Sequence, residues 1–132
     1  MIKDEMTARV IYGDTDQAGV VYYANYLRWF EMGRTELLRD HGLTYRQLEE
    51  EGCILPVAEL SCRYHASARY DDLLLIETEI TANDRVSLTF TTRIRRQGED
   101  KVLVEGTCRM VAVNKEGKLS RLPDKLLNII KM

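Results

Sequence analysis

The sequence lacks the residue patterns of a disulfide framework or a zinc site. It has 3 cysteines among 132 residues, an odd number, at positions 53, 62 and 108, and no two of them have C-x-x-C spacing. Its two histidines, His41 and His65, are far apart, and neither is placed beside a candidate nucleophilic serine. We therefore expect reduced, buried thiols in a cytoplasmic protein, with His41 as a helix C-terminal cap and His65 at the end of a surface strand.

Long apolar runs and a strong charge of one sign are also missing. The longest uninterrupted apolar run is about five residues, Val20 to Ala24, which is too short to span a membrane. Residues 1–6 are charged and contain no apolar core, so we expect no secretory signal. The net charge is −2, which argues against a nucleic-acid or anionic-membrane binder. No repeat, low-complexity tract or linker divides the chain, so we expect one domain over residues 1–132.

Hydrophobic periodicity predicts an α+β domain. The expected order is a strand, a long helix, a short helix, four strands and a short terminal helix. These elements are expected at residues 6–12, 22–41, 44–52, 58–64, 74–80, 86–94, 102–113 and from 122 onwards. Because short loops join antiparallel neighbours, we predict one antiparallel sheet wrapped around the long helix. Its open outer edges would favour pairing with a second copy of the chain.

The segment with the strongest sign of chemistry is the polar loop from Gly13 to Gly19. Elsewhere the sequence has no G-x-G-x-x-G, P-loop, G-x-S-x-G or H-E-x-x-H motif. The loop contains Asp14 and Asp16 and is followed by an apolar segment and a helix N-terminus, whose first N–H groups are unsatisfied. One interpretation is helix capping, although both aspartates lie far from the first clear helical position. The other is a functional loop, in which a carboxylate attacks an acyl carbon or activates water while the helix N-terminus holds the oxyanion.

The stretch from Gly13 to Tyr26 resembles the signature of the 4-hydroxybenzoyl-CoA thioesterase family, which has the pattern D-x-D-x-x-G-(I/V)-V-(W/Y)-x-x-x-Y. Within that family it is most similar to the Tol–Pal-associated acyl-CoA thioesterase branch. The resemblance continues through residues 28–31, 34–36 and 68–74. It implies a hot-dog fold and hydrolysis of acyl-CoA thioesters. It also implies that the enzyme needs no metal and no cofactor, the CoA moiety being part of the substrate.

The resemblance also assigns roles to individual residues. Asp16 is implied as the catalytic carboxylate, acting as nucleophile or general base, and the backbone N–H of Tyr23 as the oxyanion donor. Glu31 falls where the aryl-CoA enzyme has a second acidic residue in its acyl pocket; the alternative is a solvated helix glutamate. Arg85 and Ser87 fall in the stretch that contacts the CoA nucleotide. Both alternate with core-facing residues and are expected to point out of the sheet towards a phosphate, with a solvated Arg85 as the alternative.

Two positions depart from the family pattern and bear on the substrate. Tyr23 stands where the Tol–Pal branch often has histidine, and Leu55 stands near the position of a hydroxyl-bearing residue in the aryl-CoA enzyme. An aliphatic acyl group is therefore favoured over a hydroxylated aromatic one. The basic segment at residues 115–125 either assists nucleotide binding or forms a solvated face.

The sequence thus predicts an acyl-CoA thioesterase, with acyl carrier protein as an alternative thiol carrier. Sites between subunits are typical of this fold, so we expect a homodimer or homotetramer. One alternative is a non-catalytic module that binds acyl-CoA or acyl carrier protein, because fold alone does not define function. A dehydratase on the same fold is disfavoured, since it would need a histidine in the loop.

Overall fold

The described elements, which cover residues 2–131 of a computed structural model, form one antiparallel sheet wrapped around a long helix. The strands are Lys3–Arg9 (β1), Val57–Tyr64 (β2), Leu73–Asn83 (β3), Ser87–Arg96 (β4) and Val102–Val111 (β5). The helices are Asn25–Asp40 (α1), Tyr45–Glu50 (α2) and Asp124–Ile130 (α3), with a 3-10 turn at Tyr12–Asp14. The predicted α+β class is confirmed. No helix within the described range is long and apolar enough to cross a membrane.

Helix α1 is the element around which the sheet is built. Its 16 residues span about 24 Å. The buried face carries Tyr26, Phe30, Gly33 and Leu37, the period that the sequence predicts. Gly42 follows the helix C-terminus and has φ +86, a left-handed conformation that favours glycine. It begins at Asn25 rather than near residue 22, because the preceding residues form a tight loop and a turn.

The strand order is β1-β3-β4-β5-β2. Short turns join β3, β4 and β5 as predicted, but the expectation that β2 neighbours β3 is wrong. Strand β2 pairs with β5, from Val57 opposite Met110 to Tyr64 opposite Val104, and β1 takes the place beside β3. The reason is the connection at residues 65–72, which is long enough to carry the chain to the opposite edge of the sheet.

Strand β2 is an exposed edge. The alternation of its sequence predicts one buried face, yet Leu60 and Tyr64 are 46% and 47% exposed, and Cys62 alone is partly buried. Helix α1 packs against β1, β3 and β4, so the inner face of β2 extends beyond its cover. An apolar strip therefore remains open along this edge of the single chain.

The first strand also differs from the prediction, which placed it at residues 6–12. It runs from Lys3 to Arg9. Tyr12, which alternates with Val10 and would share its buried face in the predicted strand, is exposed in the following 3-10 turn. The chain leaves the strand because Val10 pairs instead with the segment before β3, donating its N–H to the Asp72 carbonyl and accepting from the Asp71 N–H.

Candidate active site

The loop between the 3-10 turn and α1 is closed by backbone hydrogen bonds. Thr15 and Val21 form an antiparallel bridge, and the Asp16 N–H donates to the Val20 carbonyl at 2.9 Å. At the tip of this loop, Asp16 Oδ1 accepts from the Ala18 N–H at 2.8 Å. Its other carboxylate oxygen accepts no hydrogen bond from residues 2–131. The Asp16 side chain is thus oriented by the loop and remains exposed.

The first aspartate of the loop has a structural role. Asp14 is 4% exposed; its Oδ2 accepts from the Ile11 N–H at 2.9 Å, and its Oδ1 accepts from Arg28 Nη1 at 3.1 Å. Its carbonyl accepts from the Tyr22 N–H and from Asn25 Nδ2 at 2.8 Å. Asp14 therefore ties the 3-10 turn to the first turns of α1. The sequence did not single out Asn25 and Arg28, because nothing local shows that they bind Asp14.

Unpartnered backbone donors mark the start of α1. The N-cap, Ala24, provides no side-chain acceptor, and in the described part of the chain neither the Tyr23 N–H nor the Ala24 N–H donates a hydrogen bond. The N–H groups at a helix N-terminus carry a partial positive charge and bind anions. Because Tyr22 is bonded to the backbone of Asp14, these donors lie beside the loop that carries Asp16.

Tyrosines surround these donors and hold the start of the helix. Tyr64 Oη donates to the Tyr23 carbonyl at 2.9 Å, and its ring lies 5.7 Å from that of Tyr26. The neighbouring hydroxyl of Tyr23 is the main cause that raises the pKa of Tyr22, with a smaller contribution from Asp16. Burial is the main cause that raises the pKa of Tyr64 to about 12. Tyr22 and Tyr64 therefore stay neutral near pH 7.

The structure does not bring Glu31 to Asp16 within one chain. Glu31 is exposed on α1, and it forms no hydrogen bond or ion pair with any residue between 2 and 131. It lies six residues beyond Asn25, or about 9 Å along the helix axis. Glu31 and Asp16 therefore share no hydrogen bond within one chain.

The two predicted nucleotide contacts separate in the structure. Arg85 is exposed in the turn between β3 and β4 and faces a cleft of about 430 Å³ that Arg121 also lines. The other lining residues are Asn83, Asp84 and Leu127. The expectation that Ser87 points to solvent is wrong. Ser87 is 3% exposed because the turn folds over it, and its N–H donates to Asp84 Oδ1 at 2.7 Å.

Comparisons with known proteins identify the family of the chain. The model of the thioesterase-like superfamily matches residues 10–130. The chain belongs to this family. It is 42% identical to the acyl-CoA thioester hydrolase YbgC of Escherichia coli O6:H1 over 106 residues, which are 80% of this chain and 78% of that protein. The family predicted from the Gly13–Tyr26 motif is thereby confirmed.

Solved structures confirm the hot-dog fold. A probable thioesterase from Bartonella henselae is 34% identical with a TM-score of 0.85, over 92% of this chain and 100% of that one. An Asp-to-Asn variant of 4-hydroxybenzoyl-CoA thioesterase, in complex with 4-hydroxybenzoyl-CoA, is 26% identical with a TM-score of 0.88. That similarity covers 97% of this chain and 98% of the other.

Proposed function

We propose that this chain is an acyl-CoA thioesterase in which Asp16 is the catalytic carboxylate and the Tyr23 N–H is the oxyanion donor. The observation that carries the proposal is the pairing of an exposed carboxylate with unpartnered helix N-terminal donors. The superfamily match and the similarity to the acyl-CoA thioester hydrolase YbgC support the hydrolysis of acyl-CoA to free acid and CoA.

The proposed reaction places the thioester carbonyl oxygen on the Tyr23 N–H. Charge that develops on this oxygen is stabilised by the donor and by the helix dipole. Asp16 then either removes a proton from an attacking water or attacks the carbonyl carbon itself, forming a mixed anhydride that water hydrolyses. In both routes the C–S bond breaks and CoA leaves as the thiolate. A thioester is already activated, so we propose that no metal or cofactor takes part.

Arg85 is the proposed ligand for a phosphate of the CoA nucleotide. It has no carboxylate within ion-pair distance in the described part of the chain, and Arg121 shares its cleft. A guanidinium can bind phosphate through two hydrogen bonds. The buried Ser87 hydroxyl offers no comparable contact, so Arg121 takes the place in this proposal that the sequence assigned to Ser87.

The proposed enzyme is a homodimer formed through β2. The strand has an unpaired edge, and such an edge is a template for pairing with another chain. The apolar residues exposed on this strand, Val57, Leu60 and Tyr64, would be buried by a second copy, and in this proposal Glu31 faces an acyl pocket between subunits. A homotetramer would need a further contact. The three cysteines, none of them in a disulfide, favour a cytoplasmic location.

The test is release of CoA thiol from short, medium, long and aromatic acyl-CoA esters, followed with a thiol-reactive dye. We expect the wild type to release thiol, and Asp16→Asn to lose about 10²–10⁴-fold of kcat while keeping its fold, because the amide is neither a base nor a nucleophile. Asp100→Asn, which changes an exposed aspartate that forms no ion pair with any residue between 2 and 131, is the matched control.

Turnover by Asp16→Asn at the wild-type rate would refute the role of Asp16. Saturable acyl-CoA binding without thiol release would instead favour the binding module. Thiol release from acyl carrier protein alone would identify the carrier protein as the substrate.

A further inference from the structure

The connection between β2 and β3, residues 65–72, is bound to both parts of the proposed active site through one buried residue. Ala68 is 0% exposed. Its carbonyl accepts from the Val21 N–H at 2.9 Å, and its N–H donates to Tyr26 Oη at 3.0 Å. Val21 lies on the second arm of the loop that carries Asp16, and Tyr26 is the second residue of α1. Ala68 therefore links the loop to the helix.

Tyr26 provides the helix side of this link. Its ring packs edge-on against Trp29 and Tyr64, with centroid distances of 5.6 and 5.7 Å. Burial is the main cause that raises the pKa of Tyr26, so the phenol is neutral near pH 7 and its oxygen accepts the Ala68 N–H. Tyr26→Phe would keep the ring but leave this buried N–H without its acceptor, which is costly.

The connection is also held from the sheet. Arg96, at the end of β4, donates from Nη2 to the Ser67 carbonyl at 3.0 Å and from Nε to Asp72 Oδ2 at 2.9 Å. The same carboxylate oxygen accepts from the Arg69 N–H at 2.8 Å. Asp71 has φ +70 and is the one residue other than glycine with a positive φ among residues 2–131. Such a conformation persists where surrounding contacts hold the backbone, so Ala68 sits in a segment with a fixed position.

The loop that carries Asp16 is thus attached to α1 at both ends. At its first end Asp14 binds side chains from the first turns of the helix. At its second end the attachment is the link through Ala68. Between these two points, the Asp16 carboxylate is bound only to the Ala18 N–H within the described part of the chain. Its position relative to the Tyr23 N–H therefore depends on both attachments.

We propose that Tyr26 is a positioning residue, whose hydroxyl holds Asp16 in place relative to the Tyr23 N–H by way of Ala68 and Val21. This inference rests on the proposed function, because it takes Asp16 and the Tyr23 N–H as the groups that act on the thioester. Tyr26 is 2% exposed, so it orients these groups without touching the substrate. Misplacing a reacting group by about 1 Å can lower the rate about 100-fold.

The first experiment compares kcat and KM of Tyr26→Phe with those of the wild type in the thiol-release assay. We expect kcat to fall about 10- to 100-fold. KM should change by less than about twofold, because the lost hydrogen bond orients the reacting groups and does not bind the substrate. Tyr45→Phe is the matched control. It removes a partly buried phenol that donates to Met110 Sδ at 3.7 Å, in the core cluster that does not contain Ala68, and should leave kcat unchanged.

A second pair of variants tests the same link from the sheet, and it replaces the first pair if Tyr26→Phe does not fold. Arg96→Met removes the hydrogen bonds from β4 to the connection and should lower kcat about 10-fold, again with little change in KM. Arg95→Met is its matched control. The two arginine side chains are 25% and 26% exposed, and each forms an ion pair at 2.9 Å. Because Arg95 binds Glu77 and not the connection, Arg95→Met should leave kcat unchanged.

Hydrogen exchange at the Val21 N–H measures the link without relying on activity. Tyr26→Phe should speed the exchange of this N–H relative to the amides of β4, whereas a general loss of stability would speed both together. An unchanged kcat in Tyr26→Phe, a rise in KM without a fall in kcat, or no selective rise in Val21 exchange would each overturn the proposal. If the wild type hydrolyses no ester, the proposed function fails separately. The exchange at Val21 alone then decides whether Tyr26 holds the loop.

Discussion

The close contact between α1 and the sheet at Gly33 gives a stringent test of the packing. A Cβ atom at Gly33 would lie 2.3 Å from Thr78 Oγ1 and 3.1 Å from Ile76 Cγ2. Thr78 Oγ1 is also buried without a hydrogen-bond partner among the described residues. Burial of the unpaired Thr78 hydroxyl therefore lowers the stability of the fold, and the same hydroxyl fills the space that a methyl group at position 33 would need. We expect Gly33→Ala and Thr78→Ala to be strongly coupled.

The magnitudes follow from the two contacts. In the wild-type background Gly33→Ala should lose about 1–3 kcal/mol to overpacking and regain about 1 kcal/mol in helix propensity. Thr78→Ala removes a buried methyl group, at about 1 kcal/mol, and an unsatisfied hydroxyl, whose burial costs about 1–3 kcal/mol, so it should be neutral or stabilising. In the double variant the Oγ1 contact is gone and Ile76 needs to move by only a few tenths of an ångström. A favourable coupling free energy of about 1–3 kcal/mol should result.

Urea denaturation of the wild type, both single variants and the double variant measures this coupling. Gly13→Ala is the control, because a Cβ there would meet only Ile11 Cδ1 at 4.0 Å. Its effect should add to that of Thr78→Ala. If Gly33→Ala destabilises the Thr78→Ala protein as much as it destabilises the wild type, the contact does not limit how closely α1 approaches the sheet, and the reasoning fails.

Three further predictions concern single side chains. Burial, and to a smaller extent the neighbouring Asp40, raises the pKa of Asp4 to about 6. Ionisation of Asp4 therefore lowers the stability of the fold as the pH rises through that value. Asp4→Asn should raise the Tm by about 2–4 °C at pH 7.5. At pH 4 Asp4→Asn should change the Tm little, and an equal effect at both pH values would contradict this. Tyr64→Phe removes the 2.9 Å hydrogen bond to the Tyr23 carbonyl and should lower the free energy of unfolding by about 1 kcal/mol. In the thiol-release assay kcat should fall by a larger factor than KM rises. An unchanged kcat would show that this bond does not position the proposed oxyanion donor. Asp14→Ala removes the buried carboxylate that accepts hydrogen bonds from the Ile11 N–H and from Arg28 Nη1. The free energy of unfolding, measured by urea denaturation, should fall by about 2–3 kcal/mol. Substitution of an aspartate with a merely exposed side chain would not produce this loss.

Elements with local signals were predictable from the sequence. The Thr-x-x-Gln pattern of Thr44 and Gln47 is typical of a capping box, which the structure forms at the start of α2, and Gly42 follows α1 in a left-handed conformation. The alternation of apolar and polar residues in β3, β4 and β5 predicts which of their faces is buried. Short turns join β4 to both of its neighbours, so these three strands pair in the order of the sequence. In each case the residues that determine the structure lie within a few positions of one another.

Features that depend on distant residues were not predictable in this way. The alternation of β2 indicates a strand but does not select its neighbour, and the connection at residues 65–72 is too long to force a hairpin with β3. The exposure of β2 depends on how far across the sheet α1 extends. Ser87 alternates correctly with Leu88, but its burial depends on the turn around Asp84, which the alternation does not describe.

In the candidate site, too, the difference between the two aspartates of one loop depends on distant residues. Both are the same residue type in the same segment, and before the resemblance is considered nothing local distinguishes them. In the structure Asp14 is held by Ile11 and Arg28, whereas Asp16 is bonded only within its own loop.

The spacing of the two aspartates has a physical reason in this arrangement. Asp14 is buried and binds both the 3-10 turn and the side chains of α1, so the loop and the helix N-terminus are held as one unit. The chain then needs only one further residue to cross from that anchor to Asp16 on the exposed side of the bridge between Thr15 and Val21. Because the same anchor holds Tyr22, the Tyr23 N–H is fixed relative to Asp16. In the proposed reaction, a carboxylate placed next to an anchored N–H donor needs little reorganisation when charge develops on the substrate, which is the condition for electrostatic catalysis.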